Sequence, residues 1–66
     1  MTAADFRAAL DDASLTQAAF ARWLVEHGHT AQPATVARSV RRWAEIGPPG
    51  EVVVILRLLA QQREAA

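Results

Sequence analysis

The sequence predicts an all-α fold, a compact bundle of four to five short helices. Three observations point there. Apolar residues recur at three- and four-residue spacing and nowhere alternate as in a half-buried strand. The first three periodic stretches open on a capping residue or proline, and two of the four close on glycine. No cysteine is present, so neither disulfides nor thiolate metal sites support the fold. The 66 residues make one domain, residues 1–66. A chain this short buries only about 60% of its unfolded surface. Its core must come from the 52% of residues that are apolar, with or without a partner subunit.

The first helix is expected over residues 3–12. Thr2 caps it, and Asp5 three residues on completes a capping box. Phe6 and Leu10 share one face, joined by Ala9. Asp11 and Asp12 oppose the helix dipole at the far end, so the helix stops there. The second is expected over residues 17–27, capped by Thr16. Its inner stripe is Phe20, Leu24 and His27, flanked by Ala21 and Trp23, and Gly28 ends it. A polar connection, His29-Thr30-Ala31, leads to Pro33, which suits a first helical turn because its missing N–H has no partner there anyway.

The third helix is expected over residues 33–45, with Val36, Val40 and Trp43 facing inward. Gly47-Pro48-Pro49-Gly50 is the clearest break in the chain. The fourth helix covers residues 51–63 with Val52, Ile55, Leu56 and Leu59 inside, and Glu64-Ala65-Ala66 is expected to fray.

Charge is arranged unevenly. The net charge is zero and every basic residue is arginine. Yet residues 32–44 hold Arg38, Arg41 and Arg42 and no acid, and a local patch is what binding requires. With about 100° per residue, Arg38 points almost directly away from Val36, Val40 and Trp43. Arg42 and Thr35 lie on the same outward side, and Ser39 and Arg41 fall on opposite flanks. Such a helix fits a DNA major groove about 12 Å wide, where arginine bonds guanine O6 and N7 together. An Arg-x-x-Arg-Arg run alone is more often a solvated helix face. The preceding Thr-capped helix with Gln17 at its first position makes the pair a helix-turn-helix layout.

Leu15-Thr16-Gln17-Ala18-Ala19-Phe20-Ala21-Arg22-Trp23-Leu24 resembles the second-helix signature of the Cro/repressor-type (XRE-like, lambda-repressor-like) helix-turn-helix family. Ser39-Val40-Arg41-Arg42-Trp43 resembles that family's recognition-helix ending, and Pro48-Pro49-Gly50-Glu51-Val52 with the leucines after it resembles its next helix. The resemblance covers nearly the whole chain. It implies a lambda-repressor-like DNA-binding domain in which Gln17 holds a phosphate and Arg38 and Arg42 meet bases. Ala37 also matches a base position but offers only a methyl group. Ser39 and Arg41 match phosphate or base-edge positions. The stretch from Leu24 to Val40 is longer than the family's turn: either the second helix is extended, or the recognition helix starts early, or both. Gln32 and Thr35 then reach the groove or merely cap.

The resulting expectation is a sequence-specific, double-stranded-DNA-binding transcriptional regulator, a repressor occupying a palindromic operator and controlling its own operon. Base contacts are assigned to Arg38, Arg42 and Thr35, and backbone contacts to Gln17, Ser39, Arg41 and Gln32. The resemblance extends to phage and mobile-element regulators, including repressors beside anti-CRISPR genes and antitoxins. Val54 and Leu58, with Val53, lie away from the fourth helix's inner stripe. They pack on the first helix or, as expected here, form a homodimer interface that spaces two recognition helices about 34 Å apart. The alternative is a small helical protein-interaction module or antitoxin acting through Val54 and Leu58.

Other chemistry finds little support. Glu26, His27 and His29 lack the i, i+4 spacing of helical metal ligands, and no further His or Cys completes a shell. His27 reads instead as a partly buried structural residue. Trp43 reads as a core residue and Trp23 as a partly exposed one. No Gly-rich phosphate loop or nucleophile–base pair appears, so neither an enzyme, a cofactor nor a small-molecule substrate is expected. Without a signal peptide or a membrane-length apolar run, a cytoplasmic location is expected, with no membrane partner.

Overall fold

Thr2 begins the first helix as its sequence suggests. In the computed structural model, which describes residues 1–29 and 31–65, α1 spans Ala3–Asp12, α2 Gln17–Glu26, α3 Pro33–Ile46 and α4 Gly50–Ala65. The Asp5 N–H donates to Thr2 Oγ1 at 3.1 Å and the Thr2 N–H donates to Asp5 Oδ2 at 3.0 Å, closing the capping box. The Thr2 backbone N–H, and then its side chain, hold the Asp5 carboxyl below its ordinary 3.8. A depressed carboxyl stabilises the fold above its unfolded pKa and loses that contribution as pH falls through its folded pKa. Thermal unfolding followed from about pH 5 down to pH 2 should therefore show a gentler acid loss in Asp5→Asn than in the parent.

Two helix ends close in the same way. After α1, Ser14 adopts a left-handed φ of 57°, and the Leu15 N–H reaches back to the Leu10 carbonyl at 2.9 Å. After α2, Gly28 has φ 100°, and the His29 N–H reaches the Leu24 carbonyl at 3.0 Å. Both turns return the chain across the core, and Leu15 packs against it.

Gly47 ends α3 at φ 99° and ψ 150°, a region essentially reserved for glycine. A Cβ there would also meet the Met1 carbonyl oxygen at 3.3 Å and the Ala3 nitrogen at 3.5 Å. Gly47→Ala should cost about 1–3 kcal/mol, seen as a lower urea midpoint. Gly50→Ala, with nothing near its added Cβ, should not lower it.

The core is a contiguous apolar cluster contributed by all four helices. Phe6, Leu10, Phe20, Ala21, Leu24, Val36, Val40, Ala44, Val52 and Leu56 are buried. α3 lies against both α1 and α2. Phe6 sits between two rings, edge-on to Phe20 at 6.0 Å and to Trp43 at 6.3 Å. The Arg7 guanidinium, next along α1, donates to the Ala44 carbonyl. α3 has no basic residue in its last turn, so Arg7 supplies from α1 the positive charge that this helix end favours.

The structure corrects or extends several expectations. α2 ends at Glu26, α3 runs on to Ile46, and α4 starts at Gly50 and continues to Ala65. The expected fraying of Ala66, and the place of Thr30 in the polar connection, lie outside the described residues. His27 is exposed rather than partly buried. It caps α2, and its ring stacks on Trp23 with centroids 4.0 Å apart while Nδ1 contacts the Trp23 carbonyl at 2.8 Å. The inward stripe of Phe20 and Leu24 does not extend past the helix end. Trp43 is half-buried rather than central, and Ala44 occupies the core beside it.

Val54 and Leu58 do not pack on α1; they are 55% and 53% exposed. Leu56 and Ala60 of α4 instead border a concavity of about 110 Å³ with Ala9, Asp12 and Ala13 at the C-terminal end of α1. Among the described residues, no helix is long and apolar enough to cross a membrane.

Candidate nucleic-acid interface

α3 and the N-terminal end of α2 form the candidate surface. Thr16 caps α2 by accepting the Ala19 N–H at 3.0 Å, which places Gln17 in the first turn. The first N–H groups of any helix have no intrahelical acceptor and favour an anion. Pro33 occupies the first position of α3, so this helix starts well before its arginines. α2 ends at Glu26 and α3 begins at Pro33, so residues 27–32 join the two helices.

Arg38, Arg41, Arg42, Thr35, Gln17 and Gln32 are all exposed, and Ser39 is half-buried. Gln32 stands at the cap position of α3 without a side-chain hydrogen bond to the helix, so it does not cap. Thr35 lies inside the first turn.

The outward surface of α3 divides into two flanks. One follows i, i+3, i+4, i+7 through Ala34, Ala37, Arg38 and Arg41. These four residues line a concavity of about 470 Å³ together with Gln17 and Ala18 of α2. Thr35 and Arg42 do not line it; they run with Ser39 along the other flank, which ends on Ile46, 65% exposed. The structure therefore brings Gln17, Arg38 and Arg41 together and leaves Thr35 and Arg42 on the far side of Arg38.

The concavity continues along the α2–α3 seam into a second one of about 390 Å³, lined by Ala18, Ala21, Arg22, Val25, Glu26, Pro33 and Ala37. Three of its seven lining residues, Ala18, Ala21 and Ala37, are alanine. The two ends of the seam differ in charge. Arg38 and Arg41 border the first without an acid, whereas Arg22 and Glu26 face the second as an opposite-charge pair.

Some members of this surface carried little signal in the sequence. Neither Ala18 nor Ala34 stands out in the sequence as a site residue, and only the packing of α2 on α3 makes them part of a wall. Glu45, exposed and four residues after Arg41, tempers the basic face at the last turn of α3; the i, i+4 spacing was legible there. Among the described residues no group of three or more His, Asp or Glu side chains is placed to hold a metal ion. No family model, no curated protein and no solved structure matches the chain.

Proposed function

We propose that this chain binds double-stranded DNA sequence-specifically, with α2 and α3 as a helix-turn-helix and α3 in the major groove. The observation that carries the reading is the shared concavity of Gln17, Arg38 and Arg41. A helix N-terminus suited to phosphate and a basic helix face meet there on one surface, which is what docking one helix in the groove and its predecessor on the backbone requires. Arg38, at the centre of the outward face, reads a guanine. Gln17 holds a phosphate, and Ser39 and Gln32 are further candidates for the backbone.

In this reading the protein acts as a transcriptional repressor by occupying an operator. Two copies pair through Val54 and Leu58 with Val53, and the operator is an inverted repeat. The exposure of the first two supports this pairing, since an apolar pair on a helix face gains by being covered.

Selection from a random duplex pool at fixed salt tests the proposal. Enrichment of an inverted repeat with half-sites about 34 Å apart is expected; a pool that stays random overturns it. The exposed Val54/Leu58 pair also favours a second reading, a protein-interaction module in which the arginines serve only solubility. In that case binding to its partner falls on Leu58→Arg, and no duplex is enriched.

A further inference from the structure

We propose that the flank of α3 turned toward α2 is the base-reading edge: Arg41 shares sequence reading with Arg38, Ala34 takes a thymine methyl, and Arg42 holds phosphate. The inference rests on the DNA reading above and assigns which side of the helix does the reading.

From Arg38 the contact arc extends either toward Ala34, Ala37 and Arg41 or toward Thr35, Ser39 and Arg42. A duplex seated on α3 must also meet the N-terminal end of α2 if that end holds a backbone phosphate. Gln17 and Ala18 share their concavity with the first flank and not with the second. The second flank instead closes on Ile46, an apolar side chain 65% exposed, which gains nothing beside phosphates. Charge agrees with shape, because the concavity has two guanidiniums on its rim and no carboxylate in its lining.

The occupant follows from the same lining. Arg38 and Arg41 each present the fork that matches guanine O6 and N7. Ala34 lies exposed one turn before Arg38, and Ala37 half-buried beside it. An alanine offers a base edge only a methyl surface, and the apolar group on the major-groove edge is the thymine 5-methyl. One helical turn is about 5.4 Å and base pairs stack about 3.4 Å apart. Ala34 therefore meets a thymine about one to two base pairs from the guanine read by Arg38.

The test uses the full chain and the duplex it selects. Arg41→Ala should lose about 5- to 150-fold on that duplex and become indifferent to one base pair. Arg42→Ala should weaken all duplexes alike and lower the salt slope by about 1. Deoxyuridine in place of one thymine should cost about fourfold, the share of a buried methyl-sized group, and cost nothing in Ala34→Gly. All three side chains are exposed, and circular dichroism checks that each variant is helical. If Arg42→Ala relaxes a base pair while Arg41→Ala weakens all duplexes alike, the flank assignment is overturned. If deoxyuridine is tolerated at every thymine, the Ala34 contact is overturned. A wild-type chain that enriches no duplex overturns the DNA reading itself, and this assignment with it.

Discussion

Phe6→Ala should remove about 3–5 kcal/mol, half or more of what holds the chain folded. Phe6 is fully buried and is the ring through which α1 reaches both other aromatic-bearing helices, Phe20 on α2 and Trp43 on α3. Removing a buried phenylalanine costs about 3–5 kcal/mol, partly through the cavity left behind. A domain of this length has about 3–10 kcal/mol in all. The loss therefore consumes half or more of the stability at most values in that range. Urea titration followed by circular dichroism should show the transition moved to low denaturant or missing. Phe6→Leu should retain a cooperative transition, because a large apolar side chain still fills most of the space. Val54→Ala makes the opposite case. Its side chain is mostly exposed, so a monomer should change by no more than about 0.5 kcal/mol. A larger loss that shrinks as the protein is diluted would report the paired state instead.

Arg38→Ala carries the second large effect, on binding rather than folding. The side chain is exposed and opposite the core face of α3, so its loss leaves the fold intact. A bidentate guanine contact is worth about 1–3 kcal/mol of discrimination, or about 5- to 150-fold in affinity for the selected duplex. A base reader and a phosphate holder differ in their salt response. Each phosphate neutralised on B-DNA contributes about −0.9 to the slope of log K against log salt. Arg38→Ala should therefore lose affinity for its own site with little change in slope, and should bind single-mismatch duplexes at that position as well as the original. Fluorescence anisotropy at several salt concentrations gives both quantities. If the variant binds the selected duplex as tightly as the parent, Arg38 has no role in reading it.

The helices were legible in the sequence because their ends are chemically marked. Thr2 with Asp5, Thr16, Pro33, Gly28 and the Gly47-Pro48-Pro49-Gly50 break each act through local backbone geometry, which needs no knowledge of the rest of the fold. His27 shows where local reasoning stops. Its spacing continues the apolar stripe of α2, but the helix ends at Glu26, so the ring turns to solvent and stacks on Trp23. Ala44 shows a second limit. A small residue carries little apolar signal of its own, and its burial, like the reach of Arg7 to its carbonyl, is set by tertiary packing.

For the candidate surface, the sequence identified the outward direction of α3 correctly, with Arg38 at its centre. It held no information on which side of Arg38 the α2 N-terminus would lie. That depends on the crossing of two helices joined by residues 27–32. The flank occupied by Arg41 rather than Arg42 emerges only once α2 and α3 are packed.

The stacked and edge-on rings also make the protein its own optical gauge. Trp43 rests on Phe6 where α1 meets the end of α3, and Trp23 lies between Phe20 and His27 at the far end of α2. Either indole replaced by phenylalanine leaves a single emitter, reporting on one seam. With Trp43 alone, loosening of α3 from α1 registers as a change in emission. With Trp23 alone, rearrangement of the residues leading into α3 registers separately. Titrating duplex into the two single-tryptophan variants would then tell whether the helix pair meets DNA as a rigid unit or settles into it.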